Sequence, residues 1–254
     1  MSVSIKIKQN AYVFSLNGYD INFVKVLNEA TRANLWNIMG ISKNDSVICT
    51  AGTDIVGVLK EKGQSDFMGG VHGDEDCYSL EILADGAPVI SDTFCLKAEI
   101  RMDSHLTRVS SGENIIDRHV LIELENNSIT VTTEFKCIVD DFELDIAFNG
   151  GMFAWRDKNA IRQHTNKGDI ISNGGKTPYC IIADHEITYA ECLLKNARIK
   201  VENLVGHKNE RYVGKAFYYG NEDNPRIKIY FSTDEKNIWN NGHICIGKSR
   251  YTLM

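Results

Sequence analysis

The sequence predicts an all-β protein, a large antiparallel β-sandwich with one short helix near the N-terminus. Three observations support this prediction. Segments in which apolar and polar residues alternate follow one another at short intervals. Turns such as Asp85-Gly86 and Asn126-Asn127 separate several of them, because these residues tolerate the backbone angles of tight turns. Only one stretch, residues 23–39, has apolar residues at helical spacing. Many short strands with hardly any helix are typical of an antiparallel sandwich or barrel.

Taken in order, the first element is a strand over residues 5–16, and the next is the helix over 23–39. The helical stripe consists of Phe23, Val26, Leu27, Ala30, Leu35, Ile38 and Met39. Alternation then predicts strands over residues 47–49, 55–60, 78–84, 94–102, 120–125, 129–139 and 142–148. The polar stretch 158–176 is expected to be a long surface loop. Further strands are predicted over 179–189, 197–204, 212–219, 227–232 and 243–248. Residues in the 190s could instead form a short helix.

The domain organisation is expected to be simple. No shift in composition and no linker marks a boundary, so we expect one β-rich domain over residues 1–254. Residues 1–45 could form a strand–helix extension at its N-terminus. A chain of 254 residues is long enough to bury a large core.

Composition excludes several classes of protein. The formal net charge is −6, and Lys and Arg are not clustered, so binding to nucleic acid is not expected. No apolar run approaches the length of about 18 residues that a membrane span needs. The first residues lack the apolar stretch of a signal peptide, which indicates synthesis in a cytoplasm. Seven scattered cysteines without metal-site spacing are expected to be buried thiols in a reducing compartment.

Residues 67–75, Phe-Met-Gly-Gly-Val-His-Gly-Asp-Glu, form the segment with the most chemistry. Glycines at 70 and 73 allow close approach of the backbone to a ligand and positive φ angles. His72, Asp74 and Glu75 are the candidate catalytic residues, with His72 transferring a proton or binding a hydroxyl group and the carboxylates orienting it. On an extended strand His72 and Asp74 would share a face and Glu75 would point away, so only a turn brings all three together. The alternative is that the segment is a packing motif.

Residues outside this segment could complete a binding site. Trp155 and Arg156 lie beside a Gly- and Asn-rich stretch, and an aromatic ring beside a guanidinium suits the apolar faces and hydroxyl rims of sugars. His185 is polar within an apolar strand pattern. We therefore predict Gly70, Gly73, Trp155, Arg156 and His185 as substrate-binding residues.

The motifs also resemble those of phage tail and tail-spike proteins. Thr53-Asp54-Ile55-Val56-Gly57, the Gly-Gly-x-His-Gly segment and the later Asp85-Gly86 turn follow one another as they do in that group, over roughly residues 50–155. The resemblance implies a virion or prophage origin and a host-surface glycan as ligand.

A second resemblance is to aldose epimerases of the galactose mutarotase type. His72-Gly73 matches the histidine–glycine pair that grips the sugar in that family. The second, acidic histidine of the family would fall near residues 147–153, where this sequence has none, and Glu235 is the nearest candidate for its late glutamate. The resemblance implies a two-sheet supersandwich fold.

A third resemblance is to the zinc motif of carboxypeptidases and aspartoacylases. There a Gly-Gly-x-His-Gly-x-Glu segment supplies two ligands, which here correspond to His72 and Glu75, and His185 corresponds to the third. Helices, which that family needs after the glutamate, are nearly absent from the predicted elements.

Together these observations predict a carbohydrate-binding or carbohydrate-processing protein of phage-tail type, without a cofactor, that contacts sugar through residues 69–75. It could associate with other virion subunits or with copies of itself. Two alternatives stay open: a metal-dependent hydrolase with a divalent ion such as zinc at His72, Glu75 and His185, and a structural virion subunit without catalysis.

Overall fold

The computed structural model describes residues 2–44, 46–49, 55–148, 162–166, 168–171, 179–183, 188–193, 197–205, 214–221, 224–231 and 238–254. Its first eleven strands are β1 Val3–Lys8, β2 Ala11–Leu16, β3 Tyr19–Asn28, β4 Ala33–Lys43, β5 Ser46–Cys49, β6 Val58–Glu61, β7 Glu75–Ala84, β8 Ala87–Pro88, β9 Thr93–Cys95, β10 Lys97–Thr107 and β11 Asn114–Glu125. The others are β12 Ser128–Cys137, β13 Phe142–Phe148, β14 Arg162–Thr165, β15 Gly168–Ile171, β16 Tyr179–Ala183, β17 Tyr189–Leu193, β18 Arg198–Asn203, β19 Gly214–Asn221, β20 Asn224–Phe231, β21 Ile238–Trp239 and β22 Ile244–Leu253. Two single-turn 3₁₀ helices, Glu29–Thr31 and Gly70–His72, are the helical elements of this part of the chain.

The strands form one large sheet and two small ones. The large sheet has the order β15-β14-β17-β18-β22-β12-β11-β10-β7-β4-β3-β2-β1-β9, with β5 on β4 and β8 on β7. The small sheets have the orders β21-β13-β6 and β16-β19-β20. All neighbouring strands run antiparallel except β4 and β7, which are parallel at their first residues. The predicted all-β class is confirmed.

Tyr19 connects two parts of the large sheet that are distant in the strand order, β3 on one side and β18 and β22 on the other. Tyr19 in β3 donates its hydroxyl to the carbonyl of Met254 at 2.7 Å and accepts the backbone N–H of Arg198 at 3.2 Å. One face of the sheet is buried in the resulting core, which contains residues from β1 to β4 and from β18 and β22. Burial of this apolar area is the main driving force for the fold.

A second, smaller core lies where β6 and β13 cover the ends of β10, β11 and β12. Leu59, Met68, Leu106, Phe135 and Trp239 are fully buried in it. This core positions the Gly-Gly-Val-His-Gly segment, because Met68 exchanges backbone hydrogen bonds with Leu59 of β6, at 2.8 and 3.2 Å.

The prediction of a helix over residues 23–39 is wrong. These residues belong to the hairpin of β3 and β4, whose tip is the 3₁₀ turn Glu29–Thr31 followed by Arg32 at φ +48°. The pairing register shifts between Asn22 and Phe23. The bulge and the short hairpin tip each change which face of the strand the next apolar residue occupies. The apolar residues of β3 and β4 are therefore spaced along the sequence much as they would be in a helix. The described residues between Val3 and Lys43 therefore form four strands of the large sheet, β1 to β4, where a strand and a helix were expected.

Other local predictions can be compared with the structure. The turns at Asp85-Gly86 and Asn126-Asn127 are confirmed, with φ of +48° at Asp85 and +54° at Asn126. The predicted strand over 5–16 is two strands, β1 and β2. Part of the predicted loop over 158–176 forms the hairpin of β14 and β15. In the described part of the chain, no helix has the length and apolar character needed to cross a membrane.

Candidate functional site

The Gly-Gly-Val-His-Gly segment folds as a tight turn between β6 and β7. Gly69, Gly70 and Gly73 have φ of +90°, +58° and +88°, and Asp74 follows at +51°. Positive φ favours glycine, which explains three glycines within five residues. The Gly69 N–H donates to the carbonyl of Gly73 at 2.7 Å and closes the turn.

The turn is fastened to the tip of the β3–β4 hairpin. The N–H of Asp74 donates to the Thr31 carbonyl at 2.7 Å, and the N–H of Glu75 donates to the Arg32 carbonyl at 3.2 Å. At Gly73 the two backbones approach so closely that a Cβ atom would lie 2.1 Å from the Thr31 oxygen. Gly73 is therefore required by packing, independently of any ligand.

Glu75 enters the interior at the start of β7 and forms an ion pair with Arg118 of β11. Both side chains are fully buried. Arg118 Nη2 donates to Glu75 Oε1, and the N–H of Gly70 donates to Oε2 at 2.9 Å. Arg118 also donates to the Gly57 carbonyl at 3.0 Å. Burial raises the pKa of the Glu75 carboxyl, and the Arg118 charge and the Gly70 N–H oppose that shift.

Asp74 is also held by an arginine. Arg32 Nε donates to Asp74 Oδ1 at 2.6 Å, and Arg32 Nη2 donates to the Val109 carbonyl at 2.7 Å. The residue Asp74 is buried, whereas the Arg32 side chain is about half exposed, at 47%. This pair ties the turn to the hairpin tip and to the chain after β10.

His72 is the titratable member of the segment that reaches the surface. Its Nδ1 lies 3.0 Å from Asp66 Oδ1, and its ring centroid lies 5.1 Å from that of Phe67. Phe67 in turn lies 5.8 Å from the ring of Phe148, at the end of β13. The His72 side chain is 27% exposed. The resulting His72 cluster, Asp66, Phe67, His72 and Phe148, combines an imidazole–carboxylate pair with aromatic rings.

Five of the predicted site residues lie together in the structure, and three lie outside the residues that it describes. Gly70, His72, Gly73, Asp74 and Glu75 do come together in one turn, but the carboxylates of Asp74 and Glu75 are directed to arginines and not to His72. The catalytic roles of these residues stay predictions. Trp155, Arg156 and His185 lie outside the described residues.

The zinc alternative depends on a residue whose position is not described. Within the described ranges there is no group of three His, Cys, Asp or Glu side chains arranged to hold a metal ion. Both oxygens of Glu75 accept hydrogen bonds from protein groups, and the third proposed ligand, His185, lies outside those ranges.

Sequence reasoning missed the partners of these residues. Arg118 lies 43 positions from Glu75, and no local pattern indicates that they meet. It also missed two Asp-x-His triplets, residues 103–105 in β10 and 117–119 in β11, whose side chains alternate outward from the sheet. The repeated triplet in two adjacent strands is the signal that would have revealed them.

Comparison with known proteins identifies the fold. No protein-family model matches the chain, and no curated protein matches its sequence. Among solved structures, a galactose mutarotase-like protein from Clostridium acetobutylicum aligns with 99% of this chain and 98% of its own, at 9% identity and a TM-score of 0.57. The chain therefore has the galactose mutarotase-like sandwich fold, as the resemblance of His72-Gly73 implied.

Two glycoside-cleaving enzymes contain the same fold as part of a longer chain. An alpha-N-acetylgalactosaminidase from Bifidobacterium bifidum aligns with 95% of this chain at 10% identity and a TM-score of 0.56. A GH36 alpha-galactosidase from Geobacillus stearothermophilus aligns with 96% at 8% identity and a TM-score of 0.52. This chain spans 36% and 40% of their lengths. At these identities the likeness establishes fold alone.

Proposed function

We propose that this protein binds or processes carbohydrate and contacts the sugar at the His72 cluster. The observation that carries the proposal is the partly exposed His72–Asp66 pair against the ring of Phe67. Imidazole and carboxylate groups supply the donors and acceptors that sugar hydroxyls need, and an aromatic ring covers the apolar C–H face of a pyranose.

The surroundings of the cluster suit the same ligand. Lys60 Nζ lies 5.8 Å from the centroid of the Phe67 ring and 3.8 Å from Asp145 Oδ2, which adds a further donor and acceptor. The turn that presents His72 is held by the buried Glu75–Arg118 pair, so the imidazole is positioned before a ligand arrives. The three proteins of known structure described above support the proposal, since one is galactose mutarotase-like and the other two are an alpha-N-acetylgalactosaminidase and an alpha-galactosidase.

Glycan-array binding tests the proposal. The wild-type protein is expected to bind a subset of glycans, and His72→Ala and Phe67→Ala are expected to lose that binding while the circular dichroism spectrum is unchanged. Phe94→Ala is the matched control, because Phe94 is an exposed phenylalanine on β9, which pairs with β1. A chelator should not alter binding, because the proposed contacts use protein groups. Loss of binding in chelator would favour the metal-dependent hydrolase.

The finer form of the proposal places this carbohydrate binder in a phage tail. Its rival, a virion subunit in which the segment only packs, is favoured by one observation: Gly70, Gly73, Asp74 and Glu75 all make contacts within the turn or to the hairpin tip. Mass spectrometry of purified particles from the source would detect the chain as a virion component. If His72→Ala lowers the melting temperature and leaves a normal glycan profile, the packing role replaces the sugar-contacting one.

A further inference from the structure

The outer face of the large sheet, opposite the core, carries two reciprocal Asp–His pairs. Antiparallel pairing of β10 with β11 places Asp103 opposite His119 and His105 opposite Asp117. His119 Nδ1 lies 2.5 Å from Asp103 Oδ1, and His105 Nδ1 lies 2.9 Å from Asp117 Oδ1. Two Asp-x-His triplets running in opposite directions generate this arrangement, since each aspartate meets the histidine of the other strand.

The pairs define which ring nitrogens can bind a ligand. An ionised carboxylate has no proton to donate, so Nδ1 is the donor in each pair. Nε2 accepts a hydrogen bond when the ring is neutral and donates one when it is protonated, so in either state it can bind a hydroxyl group. Neither Nε2 has a hydrogen-bond partner among the residues that the structure describes. The side chains of His105 and His119 are 32% and 49% exposed. Each carboxylate also keeps lone pairs for further donors.

Tyr78 adds an aromatic ring to the same face. The register of β7 against β10 shifts at this position, and the Tyr78 ring lies 4.5 Å from that of His105. Tyr78 is 53% exposed, and in the described part of the chain its hydroxyl has no hydrogen-bond partner. Burial, and then the charges of Asp103 and Asp117, raise the pKa of Tyr78 above its ordinary value of 10.0. The phenol therefore stays a neutral donor at neutral pH.

A cavity lies at one end of this arrangement. Register pairs place one residue from each of seven strands in a single row across the outer face: Leu27, Asn34, Asp76, His105, Asp117, Lys136 and Ile244. A cavity of about 490 Å³ is lined by Leu27, Glu29, Arg32, Asn34, Glu75 and Asp76, so it borders the start of β7. Asn34 donates to Asp76 at 2.6 Å within it. This volume lies within the usual range for small-ligand sites, about 300–1,000 Å³.

We propose that the cavity and the adjoining Asp–His pairs form a second sugar-binding site, separate from the His72 cluster. The inference rests on the proposed function for its class of ligand and on the outer face alone for its location. Alternating carboxylate, imidazole and phenol groups match the closely spaced hydroxyls of a sugar, and Tyr78 supplies a ring for its apolar face. Carboxylates at Asp76, Asp103 and Asp117 would repel phosphate, so a neutral glycan is the ligand that fits.

Sheet stability alone does not account for this set of residues. Exposed ion pairs contribute on the order of 0–1 kcal/mol, and Arg101 with Glu81 and Glu99 supplies such pairs on the same face without histidine or an exposed ring. That neighbouring group is the internal control for the proposal.

Glycan-array binding of outer-face variants tests the inference. The double variant His105→Gln/His119→Gln and the single variant Tyr78→Ala are expected to weaken binding of at least one glycan about tenfold, as expected for the loss of one or two hydrogen bonds. Arg101→Ala should bind as wild type does. Tyr78→Phe, which keeps the ring, should lose less than Tyr78→Ala.

Galactose and N-acetylgalactosamine provide a direct measurement in solution. Histidine ring signals are followed by NMR during titration, with His72, His105 and His119 assigned from the single His→Gln variants. Saturable shifts at His105 and His119 that persist in His72→Ala support a second site. Glycan binding that is insensitive to all the outer-face variants, with shifts confined to His72, overturns this inference and leaves the proposed function intact. Absence of any glycan binding overturns both.

Discussion

Glu75 Oε1 accepts a hydrogen bond from Arg118 Nη2 in the interior, and neither side chain has solvent-exposed surface. The pair joins the first residue of β7 to the middle of β11, across β10. Arg118 Nε also donates to Ser104 of β10 at 3.3 Å. Arg118 thus connects three strands, and Glu75, whose Oε2 accepts the Gly70 N–H, connects them to the turn that presents His72.

Replacing Arg118 should lower the free energy of unfolding. In Arg118→Met the Glu75 carboxylate would remain buried without a counter-charge, so the free energy of unfolding should fall by about 3–5 kcal/mol. Urea denaturation followed by circular dichroism measures it. Restoring neutrality in the double variant Glu75→Gln/Arg118→Met should recover part of the loss. Arg101→Met, at an exposed pair, is expected to change stability by less than about 1 kcal/mol. A loss that small for Arg118→Met would mean that the buried pair does not hold the turn.

Close approach at Gly73 can be separated from its backbone angle. Gly73→Ala places a Cβ atom 2.1 Å from the Thr31 oxygen, whereas Gly86→Ala has nothing within 4 Å, and the φ values are similar, +88° and +83°. Gly86→Ala should therefore report the cost of positive φ alone, about 1 kcal/mol. Gly73→Ala should lower the melting temperature much further or prevent folding. Equal melting temperatures for the two variants would show that the turn moves away from Thr31 at no cost.

Acid stability should depend on Glu191. The hydrogen bond and charge of Arg198 lower the pKa of Glu191 below its ordinary value of 4.5, although burial opposes them. A lowered folded-state pKa contributes free energy of unfolding that is fully present above pH 4.5. That contribution is lost as the pH falls through the folded-state pKa. Glu191→Gln should therefore be less stable than wild type at pH 6, and the two should converge as the pH falls below 4.5. Thermal melting at several pH values measures the difference, and Glu125→Gln, at an exposed turn end, is the control. Parallel curves for wild type and Glu191→Gln would contradict the pairing.

The Cys77 thiol should react slowly in the folded protein. Burial, and then the charge of Glu75, raise the pKa of Cys77 from 9.0 to about 11. At pH 8 only about 0.1% would be thiolate, the reactive form. Iodoacetamide labelling of the Cys77 peptide, quantified by mass spectrometry, should be at least about tenfold slower in the native protein than in urea. Equal rates would show that β7 opens freely or that the thiol is not shielded.

Alternating patterns located β10, β11 and β12 but not the full length of the first two. The strands predicted over 94–102 and 120–125 leave out residues 103–107 of β10 and 114–119 of β11. β10, β11 and β12 alternate over ten residues or more, and the Asn126-Asn127 turn between the last two was identified correctly. The prediction failed at β3 and β4, because a bulge and a 3₁₀ tip changed the phase of the pattern within the window. Local periodicity does not distinguish a displaced strand pattern from a short helix.

Some residues of the candidate site could be recognised from the sequence, whereas their interaction partners could not. Gly73 and His72 were recognisable because glycine spacing reflects backbone angles, which are local. The partners Arg118 and Asp66 were not, because side-chain pairing depends on strand register and turn geometry. The catalytic assignment of His72 stays a prediction.

The sequence by itself determined the all-β class, the glycines at residues 69, 70 and 73 that permit positive φ angles, and the net negative charge of the chain. These follow from residue periodicity, glycine conformation and charge, which are properties of single residues and near neighbours. Tertiary structure alone decided that Glu75 faces Arg118 inside the protein, and that Asp103 and Asp117 meet His119 and His105 outside it. The reason is register: a shift of one residue in the pairing of β10 and β11 would exchange the buried and exposed faces, and only the assembled core fixes that choice.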